Sequence, residues 1–386
     1  MIVFTHANVI SGGKVLPNHN VWVENGKITC ISAASVAYPV AEANIIDVEG
    51  NYLSAGLIDL HVHGGMGHDF MDGTLEAFEG IAAHHSRHGV TAMLAATLAG
   101  DDTETFAFLD AYQRYAKTVS TCRYLGVHLE GPYFSLAQCG AQDPQFIKCP
   151  TPDHYEKLLD YECVKRVSAA PELDGALELG KYLRKRNIIA SMAHTDADYE
   201  QALQAMDCGY ALVTHLYSGM IGVHRREAYR FGGLIEAALL LDGLTAEIIA
   251  DNCHLPECLL KLIYKCKGKD GIILTSDAMR GAGLPNGAIT KLGSLALGQD
   301  VIIEDDVAKL PDRSAFAGSV ASGDRLIRTM VQVAGVPLVE AIGMMTINPA
   351  RLLGLSDKIG DVREGMEADL IVFDEDIYIK HVMVQT

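Results

Sequence analysis

Basic residues are scarce in this chain, and its cysteines show no pairing pattern. The 386 residues include 31 Lys or Arg against 49 Asp or Glu, which gives a net charge of −18. That charge argues against a nucleic-acid partner or an anionic membrane, so an anionic substrate must be met by a few local basic groups. The nine cysteines are scattered without a Cys-x-x-Cys motif, which disfavours a disulfide framework or a zinc ribbon and favours a reducing cytoplasm.

Long uninterrupted apolar runs are also lacking. The most apolar candidate, residues 234–250, is broken by Glu236, Asp242 and Glu247, so we expect no membrane-spanning helix. The first residues do not combine a basic stretch with an apolar one, and we therefore expect no signal peptide. The content of 49% hydrophobic and 21% charged residues is typical of a globular protein.

Strand patterns occupy both ends of the chain. Residues 21–28 hold Asn25-Gly26 between two apolar runs, which is the signature of a β-hairpin. Residues 368–374 form another apolar strand pattern near the C-terminus. We therefore expect one small sheet domain assembled from residues 1–53 and 351–386.

Between these ends, residues 54–350 alternate apolar runs of strand length with helix-like stretches. Eight runs are found, at residues 57–63, 91–96, 124–129, 164–169, 188–193, 211–216, 247–250 and 272–275. Eight strands alternating with helices predict a parallel (β/α)8 TIM barrel. A doubly wound open sheet is the alternative, but the glycine-rich nucleotide fingerprint that would favour it does not follow the first strand. Residues 285–311 turn β-like, which predicts an excursion from the barrel.

The phrase His61-Val62-His63 ends the first predicted barrel strand. Residues i and i+2 of a strand share one face, so two imidazoles, the commonest metal ligands in proteins, point the same way. Other predicted strands end in further groups able to bind a metal, namely Glu130, His194, His215 and Asp277. Each alone has a structural explanation, such as a core histidine or a helix cap. Five such strand ends at the carboxyl edge of a barrel, where active sites are built, favour a metal-dependent active site.

Histidine and carboxylate ligands without a thiolate suit Zn²⁺ or Fe²⁺ in a hydrolytic site with open positions. Glu130 could bridge two ions, so we expect one or two divalent ions per subunit. The remaining ligands would be His61, His63 and Asp277 for one ion, and His194 and His215 for the other. A water bound to such an ion loses a proton near neutral pH, and Asp277 would act as general base before it delivers the proton to the leaving group.

Seven stretches of the sequence together resemble the metal-dependent amidohydrolase superfamily and, within it, the N-acetylglucosamine-6-phosphate deacetylase family. They lie at residues 55–65, 128–133, 193–195, 214–217, 249–254, 276–278 and 317–319. The resemblance runs nearly end to end and implies a (β/α)8 barrel with a small β-sandwich, usually as a homodimer. It also implies a phosphosugar substrate, N-acetylglucosamine 6-phosphate, from which acetate is released to leave glucosamine 6-phosphate in amino-sugar catabolism.

The resemblance also implies roles for individual residues. The matches to metal ligands common to the family are Glu130, His194 and His215, and those to members with a second ion are His61 and His63. Asp277 matches the catalytic aspartate. The matches to substrate contacts are Ala141, Gln142, Ser218, Gly219, Arg226, His254 and Phe316. Arg226 would lie near the phosphate, whose geometry suits the planar donor fork of a guanidinium.

Three departures from the family pattern fall in the predicted sugar site. Ser218-Gly219 stands where the family has Asn-Ala, and Gln142 stands where it has a histidine that polarises the acetyl carbonyl. Arg226 is followed by Glu-Ala-Tyr rather than Glu-Pro-Gly, and Arg225 beside it is an alternative phosphate ligand. These changes spare the metal ligands, so we still expect deacetylation. They fall in the sugar site, so N-acetylgalactosamine 6-phosphate is an alternative substrate.

Two further functions stay open. One is another amidohydrolase deacylase, although the fourth predicted strand ends without the lysine that many of these enzymes carboxylate to bridge their metals. The other is a non-catalytic scaffold, although such a protein should have lost ligands that this chain retains.

Three histidines outside the predicted site lie close together before Gly89. His84, His85 and His88 fall at the end of a predicted helix, where cations are favoured. We expect this helix surface to be solvated and to have no chemical role.

Overall fold

Eight parallel strands in the middle of the chain form a barrel, which confirms the predicted fold class. The computed structural model describes residues 1–36 and 43–385, so residues 37–42 and 386 of the predicted small domain lie outside the described part. Each strand pairs in parallel with the next one along the chain, as expected when helices connect neighbouring strands. The strands are Leu57–Val62, Val90–Ala96, Arg123–Glu130, Val164–Ala169, Ile189–Met192, Tyr210–Val213, Thr245–Ile248 and Ile272–Leu274.

The barrel closes where its first and eighth strands meet, beside the predicted site. The backbone amide of Asp277 donates to the carbonyl of His61, and that of His63 donates to the carbonyl of Ala278, both at 2.9 Å. Val62 and Ala278 form a parallel bridge at the same level. Closure thus fixes a histidine pair against an aspartate that is distant in sequence.

Helices follow the barrel strands and bury their apolar sides against the barrel. Local signals set their ends, as in the helix that begins after Asp198, whose carboxylate accepts from the Gln201 amide at 3.1 Å. That helix ends at Gly209, whose left-handed φ of 113° suits glycine. The helices are Leu75–Arg87, Asp102–Tyr115, Pro152–Leu159, Ala176–Lys185, Tyr199–Cys208, Leu234–Leu240, Glu257–Lys267, Gly323–Gln332, Leu338–Gly343 and Ile347–Leu352. In the part of the chain that the structure describes, none of them combines the length and apolar character needed to cross a bilayer.

Both ends of the chain contribute to one seven-stranded sheet outside the barrel. Its strands are Ile2–Ser11, Lys14–Glu24, Lys27–Ala33, Asn44–Asp47, Tyr52–Ala55, Leu370–Phe373 and Ile379–Met383. The hairpin predicted at Asn25-Gly26 is present, with Glu24 paired to Lys27. Residues of both ends, among them Leu53 and Leu370, share a buried core that is separate from that of the barrel.

The predicted excursion is a three-stranded antiparallel sheet after the eighth barrel strand, with strands Ile289–Leu292, Gln299–Glu304 and Val307–Lys309. Arg280, only 1% exposed, is hydrogen-bonded to the residue that follows the first strand of this sheet. Its guanidinium donates to the Asp72 carboxylate at 2.6 and 2.8 Å and to the carbonyls of Gly67 and Gly293. This one cation therefore connects the loop after the first barrel strand to the excursion.

The expectation that the clustered histidines are solvated is wrong. His85 is fully buried, with Nε2 3.0 Å from the carbonyl of Gly64, and His84 is only 6% exposed. His88 alone is partly open to solvent. The physical reason is the glycine loop at the barrel mouth, since a Cβ on Gly65 would lie 2.9 Å from the His84 ring. Glycine lets the helix approach closely, and packing buries the polar rings.

We expect Arg280→Met to destabilise the protein by about 3–5 kcal/mol, because the nearly buried Asp72 carboxylate would lose its cation. The exposed pair Lys261–Glu257 offers a matched control, and Lys261→Met should cost less than about 1 kcal/mol. Thermal unfolding midpoints of the two variants measure the difference. Equal midpoints would contradict the role given to Arg280.

Candidate active site

Four imidazoles converge on the buried carboxylate of Glu130, which is 2% exposed. The nearest is that of His215, whose Nε2 lies 3.1 Å from a Glu130 oxygen, and the other three lie at 3.5 Å. We call these five residues the ligand cluster: His61, His63, Glu130, His194 and His215. The structure thus brings together side chains from four barrel strand ends.

His61 and His63 face one point, as the alternation of side chains along a strand requires. Their Nε2 atoms lie 3.0 Å apart. Asp277 completes this side of the site, with Oδ1 3.1 Å from His63 Nε2 and 3.5 Å from His61 Nε2. Burial lowers the pKa of His61, but the charges of Asp277 and Glu130 outweigh it and raise the pKa to about 10. The two carboxylates therefore favour positive charge at this point, which suits a divalent cation.

The donor atoms of the ligand cluster are spaced like the ligands of a metal ion. Two groups, His61–His63–Glu130 and Glu130–His194–His215, each hold one donor atom per residue within 4.8 Å of the others. With bonds of about 2.0–2.1 Å, neighbouring donors of a tetrahedral ion lie roughly 3.3 Å apart. The observed contacts span 3.0 to 3.5 Å. The residues therefore fit one or two ions, with Glu130 common to both groups.

Three residues of the site adopt left-handed backbone conformations. The φ angles are 46° at His194, 30° at His215 and 49° at Asp277. Such conformations cost a residue with a side chain about 1–3 kcal/mol and persist where the surrounding structure over-determines them. At His194 a hydrogen bond helps to hold the residue in place, since its Nδ1 lies 2.8 Å from the Gln138 carbonyl oxygen. This acceptor fixes the proton on Nδ1 and leaves Nε2 to face the cluster.

Gln142 lies against the ligand cluster, where its amide has a fixed orientation. Its Oε1 accepts from the backbone amide of Ala99 at 2.8 Å, so its Nε2 must point the other way and donates to Glu130 Oε2 at 2.7 Å. One N–H of the side-chain amide remains. Gln142 therefore orients Glu130 as well as lining the cavity.

A cavity of about 320 Å³ opens from the ligand cluster. The predicted substrate contacts that line it are Ala141, Gln142, Ser218, Gly219, His254 and Phe316. His254 is held firmly in this wall, since its Nδ1 lies 2.8 Å from Asp251 Oδ2 and its ring centroid lies 4.6 Å from that of Phe316. The cavity thus gathers six of the seven predicted contacts.

Arg226 is the exception and lies outside the cavity on an exposed hairpin, formed by His224–Arg226 and Tyr229–Phe231. Its guanidinium pairs with Asp198 at 3.0 Å and lies 5.0 Å from the ring centroid of Phe231. Among the described residues that line the cavity, none is a lysine or an arginine. The structure therefore does not bring a permanent cation to the cavity within one chain.

The cavity also has apolar walls that motif-based reasoning missed. Leu98 follows the second barrel strand, Tyr217 follows a cluster histidine, and Leu292 belongs to the three-stranded excursion. The first two follow barrel strands at the carboxyl edge, a position that could have identified them. Leu292 carries no such signal, because only the fold returns the excursion to the barrel mouth.

The chain matches the profile of the amidohydrolase family over residues 52–386. It is 33% identical to an N-acetylglucosamine-6-phosphate deacetylase of Lysinibacillus sphaericus, over 93% of this chain and 90% of that one. It is 30% identical to an N-acetylgalactosamine-6-phosphate deacetylase of Escherichia coli O157:H7, over 96% and 94% of the two chains. The crystal structure of N-acetylglucosamine-6-phosphate deacetylase from Pasteurella multocida superposes with a TM-score of 0.91 at 25% identity, over 99% of this chain and 98% of that one. The chain therefore belongs to the amidohydrolase family.

Proposed function

We propose that this protein is a metal-dependent deacetylase that hydrolyses N-acetylglucosamine 6-phosphate to glucosamine 6-phosphate and acetate in amino-sugar catabolism. The observation that carries the proposal is the buried ligand cluster, with Asp277 beside it, opening onto a cavity of about 320 Å³. Proteins that bear this activity in their names align with more than nine tenths of the chain.

The proposed metal is Zn²⁺ or Fe²⁺, because the donors are imidazoles and carboxylates without a thiolate. The residues that would hold one ion are Glu130, His194 and His215, and those that would hold a second are His61, His63, Glu130 and Asp277. The chemistry that such an ion would supply is Lewis-acid polarisation of the acetyl carbonyl and a lower pKa for the attacking water.

Asp277 is placed to move a proton. Its side chain is 10% exposed and lines the cavity. Burial raises the pKa of Asp277, but the charge of His61 and the hydrogen bond from His63 outweigh it, so the pKa lies below its usual value. The ionised carboxylate can therefore take a proton from the attacking water and give it to the departing amine.

The cavity wall supplies the proposed sugar contacts. Gln142 keeps one N–H after bonding Glu130, which could donate to the acetyl group. His254 would face the phosphate side, and the residues around the ring would be Ala141, Ser218, Gly219 and Phe316. Small residues dominate this set, so the wall can follow the contour of a hexose closely.

We propose Arg226 as the phosphate ligand. Because it lies outside the cavity of its own chain, it would reach the substrate from the second subunit of a homodimer. Its guanidinium fork suits phosphate, and its ion pair with Asp198 is exposed on the arginine side and weak enough to exchange. The same segment exposes Val223 and Tyr229, at 61% and 72%, which supports a homodimer as a further proposal. All nine cysteines are free, which supports a cytoplasmic location.

N-acetylgalactosamine 6-phosphate is the second candidate substrate. The cavity wall holds Gln142, Ser218 and Gly219, the positions where the sequence departs from the glucosamine-type pattern. A relative named for the galactosamine substrate aligns with 96% of this chain at 30% identity. Both substrates carry a 6-phosphate and would react at the same ligand cluster. The residues of the cavity wall that contact the sugar ring would therefore decide between them.

We expect the Zn²⁺- or Fe²⁺-loaded protein to release acetate from N-acetylglucosamine 6-phosphate. Loss of the phosphate contacts should lower kcat/KM roughly 10- to 100-fold for the unphosphorylated sugar, since a hydrogen bond to a charged group contributes about 1.5–3 kcal/mol. Acetate production from both 6-phospho sugars and their unphosphorylated forms measures this. No acetate from any of the four would refute the proposal and point to another amidohydrolase reaction.

Asp277→Asn should lower kcat by about 10²- to 10⁴-fold, because the amide cannot accept the proton. The substitution keeps the size of the side chain and leaves Glu130, His194 and His215 intact, so the ion that these three would hold and the circular dichroism spectrum should stay close to those of the wild type. Turnover near the wild-type rate, with full metal content, would contradict the proton-transfer role.

Arg226→Ala should raise KM for the phosphorylated sugar by roughly 10- to 100-fold with little change in kcat, because it removes a contact to a part of the substrate that does not react. Arg225→Ala is the matched control, being a neighbour of the same type on the same exposed hairpin, and should stay within about twofold of wild type. The reverse pattern would assign the phosphate to Arg225.

A further inference from the structure

An ion pair lies fully buried inside the barrel, beneath the ligand cluster. Arg166 on the fourth strand and Glu247 on the seventh strand are both 0% exposed. The guanidinium forms a two-pronged contact with the carboxylate, of which the Nη2–Oε1 arm measures 2.9 Å. Its other donors reach the Leu60 carbonyl and the hydroxyls of Ser191 and Thr214.

These contacts use all five N–H groups of Arg166, so the guanidinium has one orientation. Through the two-pronged contact it also fixes the plane of the Glu247 carboxylate. Oxygen Oε1 of that carboxylate faces Nδ1 of His61 at 3.4 Å. A carboxylate oxygen can only accept, so this contact places the proton of His61 on Nδ1.

In the neutral ring that binds a metal, Nε2 of His61 is then the nitrogen with the lone pair, and it faces the site, 3.0 Å from His63 Nε2. His194, on the other side of Glu130, is oriented in the same way by the carbonyl of Gln138 at 2.8 Å. A metal-binding histidine commonly donates its second N–H to a carboxylate or a carbonyl, which fixes the tautomer and the ring orientation.

Stability alone does not account for a charged pair at this depth. Well-packed apolar side chains of similar volume often replace buried ion pairs without loss of stability, whereas removal of one partner is strongly destabilising. The interior of a barrel is ordinarily filled by branched apolar residues. A role at the site above the pair accounts for the charges better.

We propose that Arg166 and Glu247 are positioning residues that hold the imidazole of His61 with its Nε2 directed at a divalent metal ion. The inference rests on the proposed function in that it takes His61 as a metal ligand. Neither residue lines the cavity, and the cluster residue that their side chains contact is His61, through Glu247.

The test compares two double variants, because a single substitution would leave a buried charge unpaired. Arg166→Met/Glu247→Met removes the charges and the acceptor at similar volume. Arg166→Met/Glu247→Gln also removes the charges but keeps an amide oxygen that can accept from Nδ1 of His61. Both variants lose the ion pair equally, so a difference between them reports on the hydrogen bond to His61. Ser168→Ala is a control from the same layer. Ser168 bonds His128 and the hydroxyls of Ser191 and Thr214 that accept from Arg166, but it contacts neither Glu247 nor a cluster residue. This variant therefore perturbs the surrounding network and leaves the contact to His61 in place.

The measurement is Zn²⁺ binding to the metal-free full chain, by competition with a chromogenic chelator, with circular dichroism to verify folding. We expect two Zn²⁺ ions in the wild type and in Ser168→Ala. The Met/Met variant should bind one ion, which we assign to His61, His63 and Glu130, about 10- to 100-fold more weakly than the wild type does. Its affinity for the other ion should stay unchanged. The Met/Gln variant should recover most of that loss.

The proposal is overturned if both double variants bind both ions like the wild type, or if both lose affinity equally, since the pair would then be only structural. It is also overturned if the wild type binds a single ion with the same affinity in every variant. Acetate release by the wild type is scored separately. A protein that shows the expected Zn²⁺ pattern but releases no acetate would refute the deacetylase proposal and leave the positioning role intact.

Discussion

The buried carboxylate of Glu130 is the constraint on which the rest of the structure depends. A charge without solvent is tolerated only where it is compensated. Here an amide donates to the carboxylate at 2.7 Å, and four imidazole nitrogens within 3.5 Å can hold a proton or a metal cation beside it. The imidazoles come from three other barrel strands. A slip of one residue in any strand would turn its side chains to the opposite face. The strand register that closes the barrel is therefore also the register that brings the site residues together.

The need to bring these side chains together also explains which residues have strained backbone conformations. His194, His215 and Asp277 all take left-handed backbone conformations just after their strands. The two histidines contact Glu130, and Asp277 contacts His63. Hydrogen bonds hold these residues in place, such as that between the Asp277 amide and the His61 carbonyl at 2.9 Å. Closure of the barrel thus holds Asp277 in its conformation, and the contact with the Gln138 carbonyl oxygen holds His194.

The sequence was sufficient for the barrel and for the ligand cluster because both follow from short-range regularities. The run at 164–169 coincides with the strand Val164–Ala169, and alternation along the first strand aims His61 and His63 at one point. What failed depends on tertiary packing. The burial of His84 and His85 requires the glycine loop at Gly65. The local sequence around the two histidines does not predict that this distant loop packs against them. Leu292 reaches the cavity only because a distant sheet folds back over it.

The positions that depart from the family pattern also need the fold for their interpretation. Gly219 has a φ of 59°, and a Cβ there would lie 2.7 Å from Nδ1 of His194 and 2.9 Å from the Gln138 carbonyl oxygen. The glycine therefore permits the contact that orients His194, just as Gln142 orients Glu130. Two positions that motif comparison assigns to sugar contact thus also support the ligand cluster. A substitution at either position would therefore also change the surroundings of the ligand cluster, which links the proposed sugar contacts physically to the proposed metal site.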